Sequence, residues 1–203
     1  MIKIDVRSDI AEVTKKLSRI QRQQLPYATA VALTKTAQAA QHETKRQMPI
    51  KLDRPRKFTI DSVVIEPAKK TKLESAVLFK PIAAQYLKSV LRGGTKSTRG
   101  IGIIVPYQAK RDKYGGIPAR KRKAPLWRAG QGASRGEFVA TIKGIHGVWK
   151  KTGNKISLQA VFEKKVEYGN VKFPFKKIVK GIVNAKFKNI FAQALANALR
   201  TAR

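Results

Sequence analysis

Between residues 92 and 135 the chain carries Arg92, Lys96 and Arg99, then Lys110, Arg111 and Lys113, then Arg120, Lys121, Arg122 and Lys123, then Arg128 and Arg135. A cationic track of this kind binds phosphate groups by releasing condensed counterions, and it reads no base sequence. Glycines along it let the backbone approach a strand closely. Tyr107, Tyr114 and Trp127 are interleaved with the cations. They either stack on bases or anchor the segment to its own domain.

Other chemistries find little support. Gly94-Thr95-Lys96-Ser97 is similar to the end of a phosphate-binding loop, but Thr95 separates the glycine from the lysine and the earlier glycine is missing. Gly100-Ile101-Gly102 lacks the third glycine of a dinucleotide fingerprint and reads as turn chemistry. A nuclease needs clustered carboxylates to hold a divalent metal. Here Asp61, Glu66 and Glu74 lie near one hairpin and Asp112 stands alone among cations. Asp61 and Glu74 are the one pair placed to meet, with surface pairing to lysine as the simpler reading. A general-base role for His146 needs an orienting acid, for which Glu137 is the local candidate. There is no cysteine, and His42 and His146 are the two histidines. The expectation is therefore no enzyme, no catalytic or metal site and no cofactor.

The charge of the whole chain agrees with the track. Lys and Arg number 44 against 12 Asp and Glu, a formal net charge of +32 in 203 residues. By segment the net charge is +5 over 1–50, +4 over 51–87, +12 over 88–135 and +11 over 136–203, so it is no detachable tail. Self-repulsion of this size opposes a compact state unless an anionic partner or an assembly absorbs it. The reading is an assembly component beside nucleic acid. With 42% hydrophobic residues a folded core is available. No apolar run approaches the roughly 20 residues that span a bilayer. Residues 1–5 also lack the apolar region of a secretory signal, which predicts cytosolic synthesis without a membrane segment.

The elements that must position the track are legible from periodicity. Ile10, Val13, Leu17 and Ile20 recur at helical spacing, with Ser8 as cap, predicting a short helix over 8–24. Pro26 opens a second, Ala-rich helix running to Met48, where Pro49 stops it. Its small side chains suit close packing in a bundle or between subunits. Residues 58–66 and 73–79 read as an antiparallel strand pair, followed by a helix over 82–91 ending at Gly93-Gly94. Residues 88–135 read as a long basic Gly- and Pro-rich arm that orders against a partner, with one strand from Ile101 to Tyr107. Strands follow at 137–143, 146–150, 155–162 and 164–168, with a hairpin turn at Thr152-Gly153-Asn154. After Pro174 a long amphipathic helix runs from Phe175 to Arg203, packing on the sheet through Ile182, Ile190 and Leu195. The fold class expected is α+β: helices at both ends of antiparallel strands, in a single domain over 1–203.

One stretch carries a family resemblance. Gln85-Tyr86-Leu87, Gly93-Gly94-Thr95-Lys96, Ile103-Ile104-Val105-Pro106 and Arg111-Asp112-Lys113-Tyr114-Gly115 follow in order. This resembles the segment YL…GGT(R/K)…VP…DxYGN of tail-associated proteins of tailed bacteriophages, the minor tail protein Z-like or tail completion family. The order of elements along most of the chain is similar to that family too. Gly116 stands where the pattern has Asn, and Ile117-Pro118 with the basic run replaces a polar helical stretch. The resemblance implies a structural virion protein at the head-proximal end of the tail, made in the host cytoplasm. It implies tail and neck proteins as partners, a homo-oligomeric ring and completion of the tail for head–tail joining. The charge adds DNA, held through its phosphates. The alternative reading is a free, sequence-nonspecific nucleic-acid-binding protein.

Overall fold

A computed structural model describes residues 2–4, 19–98, 100–122, 133–134 and 136–201. The chain is α+β, with long helices toward both ends and antiparallel strands between them. Its contacts gather into two compact units where the sequence suggested one domain. Unit 1 comprises residues 1–87 with 173–203, and unit 2 comprises 88–172.

Unit 1 is built on a long helix, α1 (Arg19–Lys51), and on the C-terminal helix, which packs along it. Helix α1 passes through Pro26 instead of starting there, and Pro49 lies inside its last turn. An interior proline removes one helical hydrogen bond and costs about 3 kcal/mol. Burial of Leu25, Ala28 and Thr29 around Pro26 offsets that loss. Most of the helix expected over 8–24, including Ile10, Val13 and Leu17, lies outside the described residues. The small side chains of α1 turn inward within this unit: Ala28, Ala32, Ala37 and Ala40 are fully buried, together with the larger Leu33 and Met48. Thr29, Thr36 and Thr44 are buried on the same helix, and their hydroxyls donate to the carbonyls of Leu25, Ala32 and Ala40 at 2.7–2.8 Å. These bonds let polar side chains stand in a packed interface without orphaned donors.

After α1 comes a single helical turn, α2 (Lys57–Ile60), where a strand was expected from residue 58. The Ser62 hydroxyl donates to Thr59 O at 2.6 Å and the Asp61 amide to Lys57 O at 2.8 Å. Such local bonds outcompete the strand preference of Phe58, Thr59 and Ile60. Strand β2 (Val63–Glu66) then pairs antiparallel with β3 (Ser75–Phe79) as predicted. Strand β1 (Ile2–Ile4) pairs on the other side of β3, giving the order β1-β3-β2. Three residues are too few to show alternation, so the sequence did not reveal it. Helix α3 (Pro81–Arg92) follows, close to its predicted bounds.

The C-terminal helix, α5 (Phe175–Arg200), packs chiefly on α1 and not on the sheet. Its buried residues are Phe175, Val179, Ala194 and Ala198, whereas Ile182, Ile190 and Leu195 are only half-buried. Both helices meet through small side chains, so the interface selects alanines and leaves the larger aliphatics at its margin. Phe175 reaches the sheet, with its ring centroid 4.9 Å from that of Phe79.

Unit 2 holds a five-stranded antiparallel sheet in the order β5-β9-β8-β7-β6. The strands are β5 (Ile103–Pro106), β6 (Ala133–Ser134), β7 (Glu137–Ile142), β8 (Ile145–Thr152) and β9 (Lys155–Glu163). A separate ribbon pairs β4 (Thr95–Ser97) with β10 (Lys165–Glu167). The two-residue turn Gly153-Asn154 joins β8 to β9, matching the predicted hairpin. The segment read as an arm is, over its described part, strand, turn and the short helix α4 (Ala119–Arg122). It folds because β5 pairs along β9 and because Ala109 and Ile117 are buried with Val148, Ala160 and Phe162. Among the described residues of the segment, Gly93 and Gly115 shape turns.

Two measurements test unit 1. Leu33, with no exposed surface, should cost about 2–5 kcal/mol on substitution by alanine, and half-buried Ile182 less, read from urea unfolding. Glu43 accepts from Arg46 Nη2 at 2.7 Å and Gln47 Nε2 at 2.8 Å. Arg46 first and Gln47 second pull its carboxyl down to about 2. A lowered folded pKa means the stabilisation is complete above the unfolded pKa and is lost as pH falls toward about 2. Glu43→Gln should therefore flatten the acid limb of the stability profile.

Candidate nucleic-acid interface

The described cations of the track are distributed over the end of α3, strand β4, the turn after β5 and helix α4. Arg92 ends α3 and is exposed. Lys96 is exposed in the middle of β4, opposite Val166 of β10. Lys164, in the bend just before β10, is exposed beside the ribbon, and its carbonyl accepts from the Thr98 amide at 3.1 Å. The sequence reading left Lys164 out because it sits about 70 residues away; the one available signal was the dipeptide Lys164-Lys165. Lys165 pairs with Glu167 at 3.8 Å.

Gly93-Gly94 is the structural reason that Arg92 and Lys96 stand on adjoining elements. The Gly93 amide donates to Ser89 O at 2.8 Å, ending the helix with a left-handed residue at φ +69°. A Cβ at Gly93 would lie 2.5 Å from Gly169 O. The Gly94 amide donates to Gly169 O, and Tyr168 N donates back to Gly94 O at 2.9 Å. The glycines therefore seat the chain against the loop after β10, and the likeness to a phosphate-binding loop has this structural origin.

Lys110, Arg111 and Lys113 are exposed on the turn that follows β5. Asp112 organises that turn: its Oδ1 accepts from the amides of Tyr114 and Gly116, each at 2.9 Å. The Asp112 amide donates to Gly116 O at 2.8 Å, and Gly115 at φ +78° closes the loop. The lone acid in the basic segment thus has a structural role, and the Asp-Lys-Tyr-Gly spacing follows from it. A Cβ at Gly116 would meet the Asp112 carboxylate at 3.6 Å, an ordinary contact. Arg111 Nη2 donates to Pro106 O at 3.0 Å, and the Lys113 ammonium lies 5.2 Å from the Tyr114 ring centroid. Tyr107 is 65% exposed, which leaves its ring accessible for stacking, whereas Tyr114 is half-buried in its own turn.

Arg120 is exposed on α4. Lys121, beside it, is bound to Glu137 of β7, so this cation tethers α4 to the sheet. Arg122 ends α4, and Arg99, Lys123, Trp127, Arg128 and Arg135 lie outside the described residues.

The alternative chemistries meet specific obstacles. Asp61 pairs with Lys45 at 4.0 Å and Glu74 with Lys72 at 3.9 Å. Among the described residues no group of three or more His, Asp or Glu could hold a metal ion. His146 is exposed and its Nδ1 lies 3.2 Å from Thr141 Oγ1, while Glu137 is engaged by Lys121. No described helix is long and apolar enough to cross a membrane.

The two glycines should respond differently to substitution. Gly94→Ala adds a side chain to open space at φ +85° and should cost about 1–2 kcal/mol of backbone strain. Gly93→Ala adds the clash with Gly169 O and should destabilise unit 2 substantially more, read as lost amide protection in β4 and β10. No protein-family model, curated protein or solved structure matches this chain, so its functional reading rests on its own residues.

Proposed function

We propose that this protein is a structural component of a tailed-phage virion, placed at the head-proximal end of the tail, where it completes the tail for joining to the head. The observation that carries the reading is the ordered segment from Gln85 to Gly115, whose pattern resembles the tail-completion family. The geometry gives that pattern physical content. Gly93-Gly94 seats one loop on another and Asp112 closes a turn, so both motifs display cations from a folded base.

The proposed mechanism is electrostatic. A ring of copies at the head–tail passage would present Arg92, Lys96, Lys110, Arg111, Lys113 and Arg120 to packaged or exiting DNA. Phosphate neutralisation would hold the DNA end without reading its sequence. Enzymatic chemistry has no part in this proposal; the partners are DNA, further copies, and other tail and neck proteins.

Disrupting the gene in the parent phage should leave full heads and unjoined or DNA-defective tails by negative-stain microscopy. Normal infectious particles would overturn the virion reading and move a free nucleic-acid-binding protein to the front. On duplex DNA, Lys96→Gln, Lys110→Gln and Arg120→Gln should each weaken binding alike across sequences. Each lost phosphate contact should also lower the slope of log K against log salt by about 0.9. Unchanged slopes would show that DNA does not lie on these residues.

A further inference from the structure

The five-stranded sheet of unit 2 carries apolar residues on both faces, mixed on the first with Thr141, His146, Lys150 and Ser157 and nearly unbroken on the second. Register and alternation separate the faces. On the first, Val148, Ala160 and Phe162 are buried beneath Ala109 and Ile117 of the segment after β5. On the second, Val105 aligns with Val161, Trp149 with Leu158, and Ile142 with Ile145. The Val148–Ala160 and Trp149–Leu158 pairs leave Gln159 as a bulge, which keeps Leu158 and Val161 on the same side. Val105 is 38% exposed, Ile145 40% and Ile156 52%. An antiparallel sheet that turns one face to water ordinarily lines that face with polar residues, and the second face carries few.

Charge on this second face points to its occupant. Two charged side chains stand on it among the described strand positions: Lys151, aligned with Ile156 at one end, and Glu163, aligned with Ile103 at the other. Both are exposed, and among the described residues neither has an ion-pair partner. The two ends are about 20 Å apart at 3.4 Å per residue. A two-fold axis parallel to the sheet and perpendicular to its strands reverses strand direction in the facing copy. It therefore brings each Lys151 to the partner copy's Glu163 end, one strand spacing to the side and within reach of a lysine. Isologous interfaces require this self-complementarity. The face is mainly aliphatic, and Trp149 is 9% exposed, so it offers little of the open aromatic platform that bases stack on.

We infer that a second copy of this chain docks on this face, sheet against sheet about 10 Å apart, with two symmetric Lys151–Glu163 pairs flanking an aliphatic centre. The inference goes beyond the proposed function and does not depend on it, because a free nucleic-acid-binding protein could pair in the same way.

Sedimentation equilibrium of the full chain, freed of nucleic acid, tests the pairing. The unsubstituted protein should dimerise. Lys151→Glu and Glu163→Lys should each weaken the dimer roughly tenfold, since one attraction becomes a repulsion at two symmetric sites. The double variant, with the charges exchanged, should recover most of that loss. Ile156→Asp should abolish the dimer, and unchanged circular dichroism in all variants would separate this from unfolding. A monomeric unsubstituted protein would overturn the inference and assign the face to another occupant. It would equally be overturned by an oligomer indifferent to all four variants, or by a charge exchange no better than the single substitutions. Intact heads and tails in a gene-disrupted lysate would remove the virion reading and leave this result standing.

Discussion

The close approach of α1 and α5 is the contact on which unit 1 depends. Backbones meet closely where side chains are small, and the buried faces here include Ala28, Ala32, Ala37 and Ala40 on one helix and Ala194 and Ala198 on the other, beside Leu33, Met48 and Val179. Such an interface gives each residue little apolar area, so it must be long to be stable. Helix α1 spans 33 residues and α5 spans 26. That length explains why the chain remains helical through Pro26. Starting the helix there would leave Leu25, buried here, outside it. The buried threonines fit the same scheme, because each returns its hydroxyl to a carbonyl of its own helix and leaves a nearly aliphatic surface.

Unit 2 solves a different problem, that of folding a segment dense in like charges. The solution is to use few acids in structural positions. Asp112 accepts backbone amides at the centre of a turn, and Glu137 receives the cation that tethers α4. Lys96, Lys110, Arg111, Lys113 and Arg120 are left on the surface, where solvent and salt screen them. Compactness is supplied by the strand β5 zipped onto β9 and by the small cluster around Val148 and Phe162. A basic stretch can therefore be folded while most of its described cations stay at the surface, which is what a phosphate-binding surface requires.

Several features of unit 2 have a structural cause despite looking like functional motifs in the sequence. Gly93-Gly94 with Lys96 approaches a phosphate-loop pattern because a helix must end against the carbonyl of Gly169. Asp112 looks like an isolated acid because its partners are backbone amides, which leave no trace in side-chain spacing. His146 and Glu137 look like an acid–base pair because both sit on adjacent strands. The register instead sets His146 beside Thr141 and Glu137 beside Lys150.

From the sequence alone came the α+β class, the strand pair β2–β3, the strands β7 to β10, the hairpin at Gly153-Asn154 and the span of α5. Each rests on local signals: alternation, turn residues and helical periodicity, all of which act within a few residues. The excess of Lys and Arg, and their concentration between Arg92 and Arg135, were equally plain. Tertiary structure alone decided that α5 lies on α1, that the segment after Gly94 folds into unit 2, and that the Lys164 carbonyl meets the Thr98 amide at the end of β4. It also decided that residues 57–60 coil into a helical turn and that Ile2 to Ile4 join a sheet. Those outcomes depend on which surfaces find each other across long separations. Single-residue preferences of a fraction of a kilocalorie are overruled there by packing and by the bonds each backbone group must find.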